Sequence, residues 1–172
     1  MVMTIALMLA FQEASPAPSP PALPPACESE AHAAFDYWVG EWDVYPTSRP
    51  EQKVAESRIE RLYNGCAVRE NWMPTGRPGG GSLNSLREDG RWHQRWIGSG
   101  GETVDFVGGP DDEGNIVMTG WWANYNGPGD HRFVRMTYFR LEDGAVRQLG
   151  EISEDHGATY ATGYDLTYRR RN

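Results

Sequence analysis

The chain has 172 residues and a formal net charge of −8 at pH 7, which excludes a sequence-independent grip on nucleic-acid phosphates, since that grip needs clustered Lys and Arg. Seven Trp, eight Tyr, five Phe and twenty Gly favour short aromatic-rich strands joined by glycine turns over a helical bundle. The length suits one domain with one core, and the only basic run, Arg169-Arg170-Arg171, reads as the solvated end of a strand.

Residues 1 to 11 are almost wholly apolar, the length of a signal-peptide core and well short of the ~20 residues that span a bilayer. Residues 1–14 therefore read as a signal peptide, 15–33 as a Pro/Ala-rich tether and 34–172 as the folded domain of a periplasmic or secreted protein with no membrane span. A lipid anchor at Cys27 is disfavoured because Pro24 and Pro25 fit a lipidation site poorly. Two cysteines in an exported chain predict a Cys27–Cys66 disulfide, which closes a loop of ~40 residues.

Phe35, Trp38 and Val39 have helical spacing, Trp42 and Val44 alternate like a strand, and Gly40 lies where the period changes. The expected structure is a helical turn that plugs a barrel base and leads into a first strand, 42–47. Further strands are expected over 53–62, 66–73, 82–87, 91–97, 102–107, 115–122, 131–141, 146–153 and 159–170. Asn64-Gly65, Asp89-Gly90 and Asp143-Gly144 are hairpin signals, and the Gly/Pro-rich stretch 74–81 reads as a loop over a barrel mouth. About ten strands joined by short hairpins predict an all-β, single antiparallel up-and-down barrel, because closure removes the exposed edges of a flat sheet.

Strand parity puts Val68, Glu70 and Trp72 on one face of their strand and Trp92, Gln94 and Trp96 on one face of theirs. Pointing inward together, they line a lumen with indoles, a carboxylate and an amide, the composition of a small-molecule site, and Arg135 and Gln148 are candidate donors from the opposite wall. The alternatives are a filled aromatic core with Glu70 and Gln94 hydrogen-bonded to arginines, and a small hydrolase or isomerase pairing Glu70 with His93 or Arg95. The histidines at 32, 93, 131 and 156 show no metal-ligand spacing, and no Gly-x-Ser-x-Gly motif is present, so no metal or catalytic residue is assigned.

Gly40-Glu41-Trp42 followed by a strand resembles the start of calycin barrels, the group of lipocalins and nitrobindin-like proteins. Together with Gly65–Trp72, Gly90–Trp96 and Tyr168-Arg169-Arg170, the stretch Phe35–Val44 is similar to a family of exported bacterial proteins of unassigned activity, a likeness covering roughly residues 35 to 171. The resemblance implies that Arg169 or Arg170 packs over Trp42 where the barrel closes, a structural role. It also implies haem binding as an alternative to an apolar ligand, with His131 or His156 as the axial ligand.

Overall fold

The computed structural model describes residues 27–171, so the expected signal peptide and the first part of the tether lie outside them. The ten strands are β1 (Gly40–Pro46), β2 (Ala55–Leu62), β3 (Ala67–Pro74), β4 (Gly80–Leu86), β5 (Trp92–Gly98), β6 (Thr103–Pro110), β7 (Ile116–Trp122), β8 (Arg132–Arg140), β9 (Val146–Ser153) and β10 (Ala161–Arg170). Each pairs antiparallel with its sequence neighbours, and β1 also pairs with β10, closing an up-and-down barrel. Among the described residues, no helix is long and apolar enough to cross a membrane.

Two stretches read as loops are strand. Gly80 and Gly81 pair with Gly98 and Ile97 of β5, while Gly108 to Pro110 pair with Ile116 to Met118 of β7. Ladder hydrogen bonds from a neighbouring strand hold these residues extended despite their low intrinsic preference for it.

All the connections at one end of the barrel are tight turns, and this end is closed by the segment that precedes β1. Helix α1 (Glu30–Ala33) forms within what the sequence suggested was tether, capped by the Ser29 side chain and tied to the wall by the Cys27–Cys66 disulfide. A 3-10 turn, Asp36–Trp38, then carries Trp38 into the barrel. Phe35 and Trp38 are fully buried, with ring centroids 4.8 Å from Trp92 and 4.7 Å from Tyr138 respectively. The Trp92 indole donates to Ala31 O at 3.1 Å and the Trp42 indole to Trp38 O at 2.8 Å, so the plug is keyed by direction as well as by volume.

The Gly-Glu-Trp motif acquires a physical reason at this closure. Arg170 lies 4.6 Å above the Trp42 ring and donates to Val39 O at 3.3 Å. Gly40 has a φ of +148°, which residues with a side chain rarely adopt, and a Cβ there would lie 2.5 Å from the Arg170 guanidinium. Arg169 points to the outer face, over the Tyr45 ring at 4.9 Å, and donates to Pro50 O. Of the two candidate closing arginines, Arg170 covers the tryptophan.

Candidate ligand-binding cavity

The half of the lumen away from the plug is open. A cavity of about 420 Å³ has Trp72, Trp96, Phe106, Trp122, Tyr164 and Leu166 in its walls, Glu70, Gln94, Tyr138, Gln148 and Tyr168 at its floor, and Pro46, Val54 and Arg77 towards the mouth. Arg77 belongs to the connection between β3 and β4, the loop expected to overhang the mouth.

Inward-facing glycines keep this half from filling. An added Cβ would lie 2.1 Å from the Tyr164 ring at Gly150, whereas at Gly80 and Gly120 it would first meet backbone, Ile97 O at 2.6 Å and Asp105 O at 2.3 Å, with the Trp96 and Phe106 rings next at 2.7 Å and 3.0 Å. The three rings are seated beside wall positions that have no side chain, and they line the lumen.

Below the walls runs a polar belt. Ser57 Oγ donates to Glu70 Oε1 at 3.0 Å and Ser82 Oγ to Glu70 Oε2 at 3.4 Å. Asn84 Nδ2 donates to Ser82 Oγ and Val68 O, which turns Asn84 Oδ1 towards Gln94. Gln94 Nε2 accordingly donates to Asn84 Oδ1 at 2.7 Å and to Tyr138 Oη at 3.1 Å. Gln148 Nε2 donates to the same Tyr138 Oη at 3.2 Å, and Tyr168 Oη donates to Gln148 Oε1 at 2.7 Å and lies 3.3 Å from Glu70 Oε1. The chain of bonds closes on itself around the lumen.

Burial pushes the Glu70 carboxyl up to about 7, against the lowering effect of its hydroxyl donors, and Glu70 is only 4% exposed. Burial likewise holds the Tyr138, Tyr164 and Tyr168 hydroxyls above the ordinary tyrosine range. Among the described residues, Gln94 Oε1 accepts no hydrogen bond although Gln94 is 2% exposed and lines the cavity, and the buried Trp96 indole N–H has no acceptor. The unpartnered Trp96 N–H is costly where it is buried, and Gln94 Oε1 at the cavity wall is a contact point for a ligand.

The structure brings Glu70, Trp72, Gln94, Trp96 and Gln148 together at this cavity and leaves two proposed residues out. Trp92 faces inward but sits in the base plug, its N–H spent on Ala31. Arg135 is on the outer face: it pairs with Glu151, to whose carboxylate it donates at 2.8 Å, and it lies 3.9 Å over the Tyr160 ring. The inward set on β8 is Val134, Met136 and Tyr138. Alternation grouped these residues correctly; the wholly apolar character of Val134 and Met136 beside Tyr138 was the signal for which group faces in. Tyr138, Tyr164, Tyr168 and Trp122, which sequence reasoning did not assign to the site, belong to it.

The pairing of Glu70 with His93 or Arg95 is overturned by the same parity. Both face outward and engage Asp105, His93 at 2.9 Å, while Glu70 faces the lumen and meets hydroxyls. The belt also differs from a core in which arginines satisfy Glu70 and Gln94, because serine, asparagine and tyrosine do so. A histidine-held haem does not fit this lumen. No histidine lines the cavity; His131 is exposed, and exposed His156 packs outside against Trp121, ring centroids 5.3 Å apart. No group of three or more potential metal ligands occurs among the described residues.

A second cleft, of about 580 Å³, opens beside the mouth between the 123–131 connection and the 154–160 connection. Its charges are already matched: Arg132 pairs with Asp130 and Glu154, and Asp155 accepts from Thr159 N and Oγ1.

A closed antiparallel barrel with an aromatic-walled cavity above a polar belt is compatible with ligand binding and with a calycin-like fold. Compared with known proteins, the chain matches no protein-family model, and no curated protein matches it in sequence.

Proposed function

We propose that this is an exported binding barrel that holds one small, partly apolar molecule in the mouth half of its lumen, without covalent chemistry. The observation that carries the reading is the pairing of Gly80, Gly120 and Gly150 with Trp96, Phe106 and Tyr164. The rings sit beside positions that have no side chain, and the space left over is lined by Gln94, whose Oε1 has no partner among the described residues. A barrel whose core had only to be stable would fill this volume, since close-packed interiors leave few voids larger than a water.

Export to the periplasm or outside the cell is supported by the Cys27–Cys66 disulfide, which persists in oxidising compartments, together with the apolar leader expected at residues 1–14. Kinship with the exported bacterial barrels that the sequence resembles rests on the same motifs, now seen as the base closure: Gly40, Trp42 and Arg170.

Native mass spectrometry of the protein purified from its own host, without organic extraction, tests the proposal. The expected spectrum shows one small molecule per chain, released on unfolding. A bare protein mass, together with no saturable uptake of apolar probes, contradicts it.

A further inference from the structure

We propose that the lumen is selective for an organic amine, an ammonium group carried on an apolar body, which binds at the floor against Glu70 and Gln94 Oε1. The inference rests on the cavity reading and deepens it.

Three observations converge. Glu70 borders the cavity with no cation beside it: its partners are Ser57, Ser82 and Tyr168, and Glu70 takes part in no ion pair among the described residues. Buried carboxylates are normally paired, so a carboxyl facing an open cavity without a counter-ion is completed by a positively charged ligand. Gln94, which lines the same cavity, offers in Oε1 a second acceptor without a donor among the described residues, and an ammonium brings several N–H groups where a single hydroxyl brings one. The walls above supply indole and phenol faces, Trp72, Trp96, Trp122 and Tyr164, which attract cations through their ring quadrupoles.

The bonding of Tyr168 offers the proton a place. Tyr168 has one hydroxyl proton, and its shorter contact, 2.7 Å, is to Gln148 Oε1. Tyr168 Oη and Glu70 Oε1 then face each other at 3.3 Å as two acceptors, and a proton on Glu70 completes the belt in the empty protein. An arriving ammonium replaces that proton: the Glu70 O–H bond breaks, the proton leaves to solvent, and the carboxylate accepts from the ligand N–H. No electrons are transferred.

The groups facing Glu70 are Ser57 of β2, Ser82 of β4, Tyr138 of β8, and Tyr164 and Tyr168 of β10; the three tyrosines are held above their ordinary range and do not ionise near neutrality. Arg77, exposed towards the mouth, is the one cation among the described residues that line the cavity. Water and salt there screen it from the floor.

Isothermal titration of wild-type protein with tryptamine, tryptophol and indole-3-propionate, which share a ring and differ in charge, tests the inference at pH 6 and pH 8. Because a carboxyl at about 7 goes from mostly protonated to mostly ionised over this range, tryptamine is expected to bind about tenfold tighter at pH 8, and tryptophol equally at both. At pH 6 tryptamine binding should release close to one proton, read from the dependence of the heat on buffer ionisation. Glu70→Gln, checked for folding by its melting temperature, should abolish the pH dependence and the proton release. Tryptamine binding no tighter than tryptophol at pH 8, or binding without proton release at pH 6, overturns the inference. Failure of the whole series while the neutral probe N-phenyl-1-naphthylamine still binds overturns the amine selectivity alone; failure of that probe as well overturns the cavity reading too.

Discussion

Tyr168 Oη and Gln148 Oε1 meet at 2.7 Å across the lumen floor, closer than Tyr168 approaches Glu70, at 3.3 Å. This preference leaves Glu70 best satisfied as a neutral acid, consistent with burial raising its carboxyl to about 7 from an ordinary 4.5.

A raised carboxyl destabilises the fold as it ionises. Below the unfolded value, about 4.5, both states are protonated and the full stability is present; it falls as pH rises through about 7, by on the order of 3 kcal/mol. Urea unfolding at pH 5 and pH 8 should show this loss in wild-type protein and a smaller one in Glu70→Gln, which cannot ionise. Equal losses in the two proteins would mean that folding does not raise the Glu70 carboxyl.

At the base, Trp42 is fully buried, donates to Trp38 O and lies under Arg170. Trp42→Ala should cost about 3–5 kcal/mol in denaturant unfolding. Arg170→Ala removes only an exposed cation–π contact and a bond to Val39 O, so about 1 kcal/mol is expected. Ligand affinity per folded molecule should be unchanged in both; a Trp42 variant that kept its melting temperature but lost binding would move the site to the plug.

The disulfide spans a sequence separation of 39 and anchors the segment that carries Phe35 and Trp38 into the barrel. Thiol titration of unreduced, denatured protein should find no free group. The double variant Cys27→Ser/Cys66→Ser should lose about 3–4 kcal/mol on the chain-entropy account, measured by denaturant midpoint.

Gly150 carries the Tyr164 ring, and a Cβ there would lie 2.1 Å from it, whereas one on Gly109 would meet nothing within 4 Å. Gly150→Ala should therefore push Tyr164 off the wall, lose its 3.1 Å contact with Met136 Sδ and cost about 1–3 kcal/mol, with weaker uptake of apolar probes. Gly109→Ala is the control, expected to change neither property; equal effects of the two would remove the packing role assigned to Gly150.

The fold was legible because its signals are local. Asn64-Gly65, Asp89-Gly90 and Asp143-Gly144 announce hairpins, and alternation in 66–73 and 91–97 puts Glu70, Trp72, Gln94 and Trp96 on the faces that do line the lumen. The site was legible only in half. Alternation states which residues share a face and leaves open which face is inside, hence the misplacement of Arg135. Height in the barrel depends on register, so nothing local separates Trp92, spent on the plug, from Trp96 at the cavity wall. The ring that joins Glu70 to Tyr168 and Gln94 to Tyr138 spans separations of 98 and 44 residues, beyond the reach of any pattern along the chain.

Fluorescence titration with N-phenyl-1-naphthylamine, neutral and apolar, tests the open lumen most directly when wild-type protein is compared with Leu166→Trp, which places a large ring into the cavity wall. Saturable uptake of one probe per chain by the wild type, lost in a Leu166→Trp protein that keeps its melting temperature, is the predicted result. Absence of saturable binding in the wild type, or the same binding in both proteins, would contradict a ligand site in the lumen.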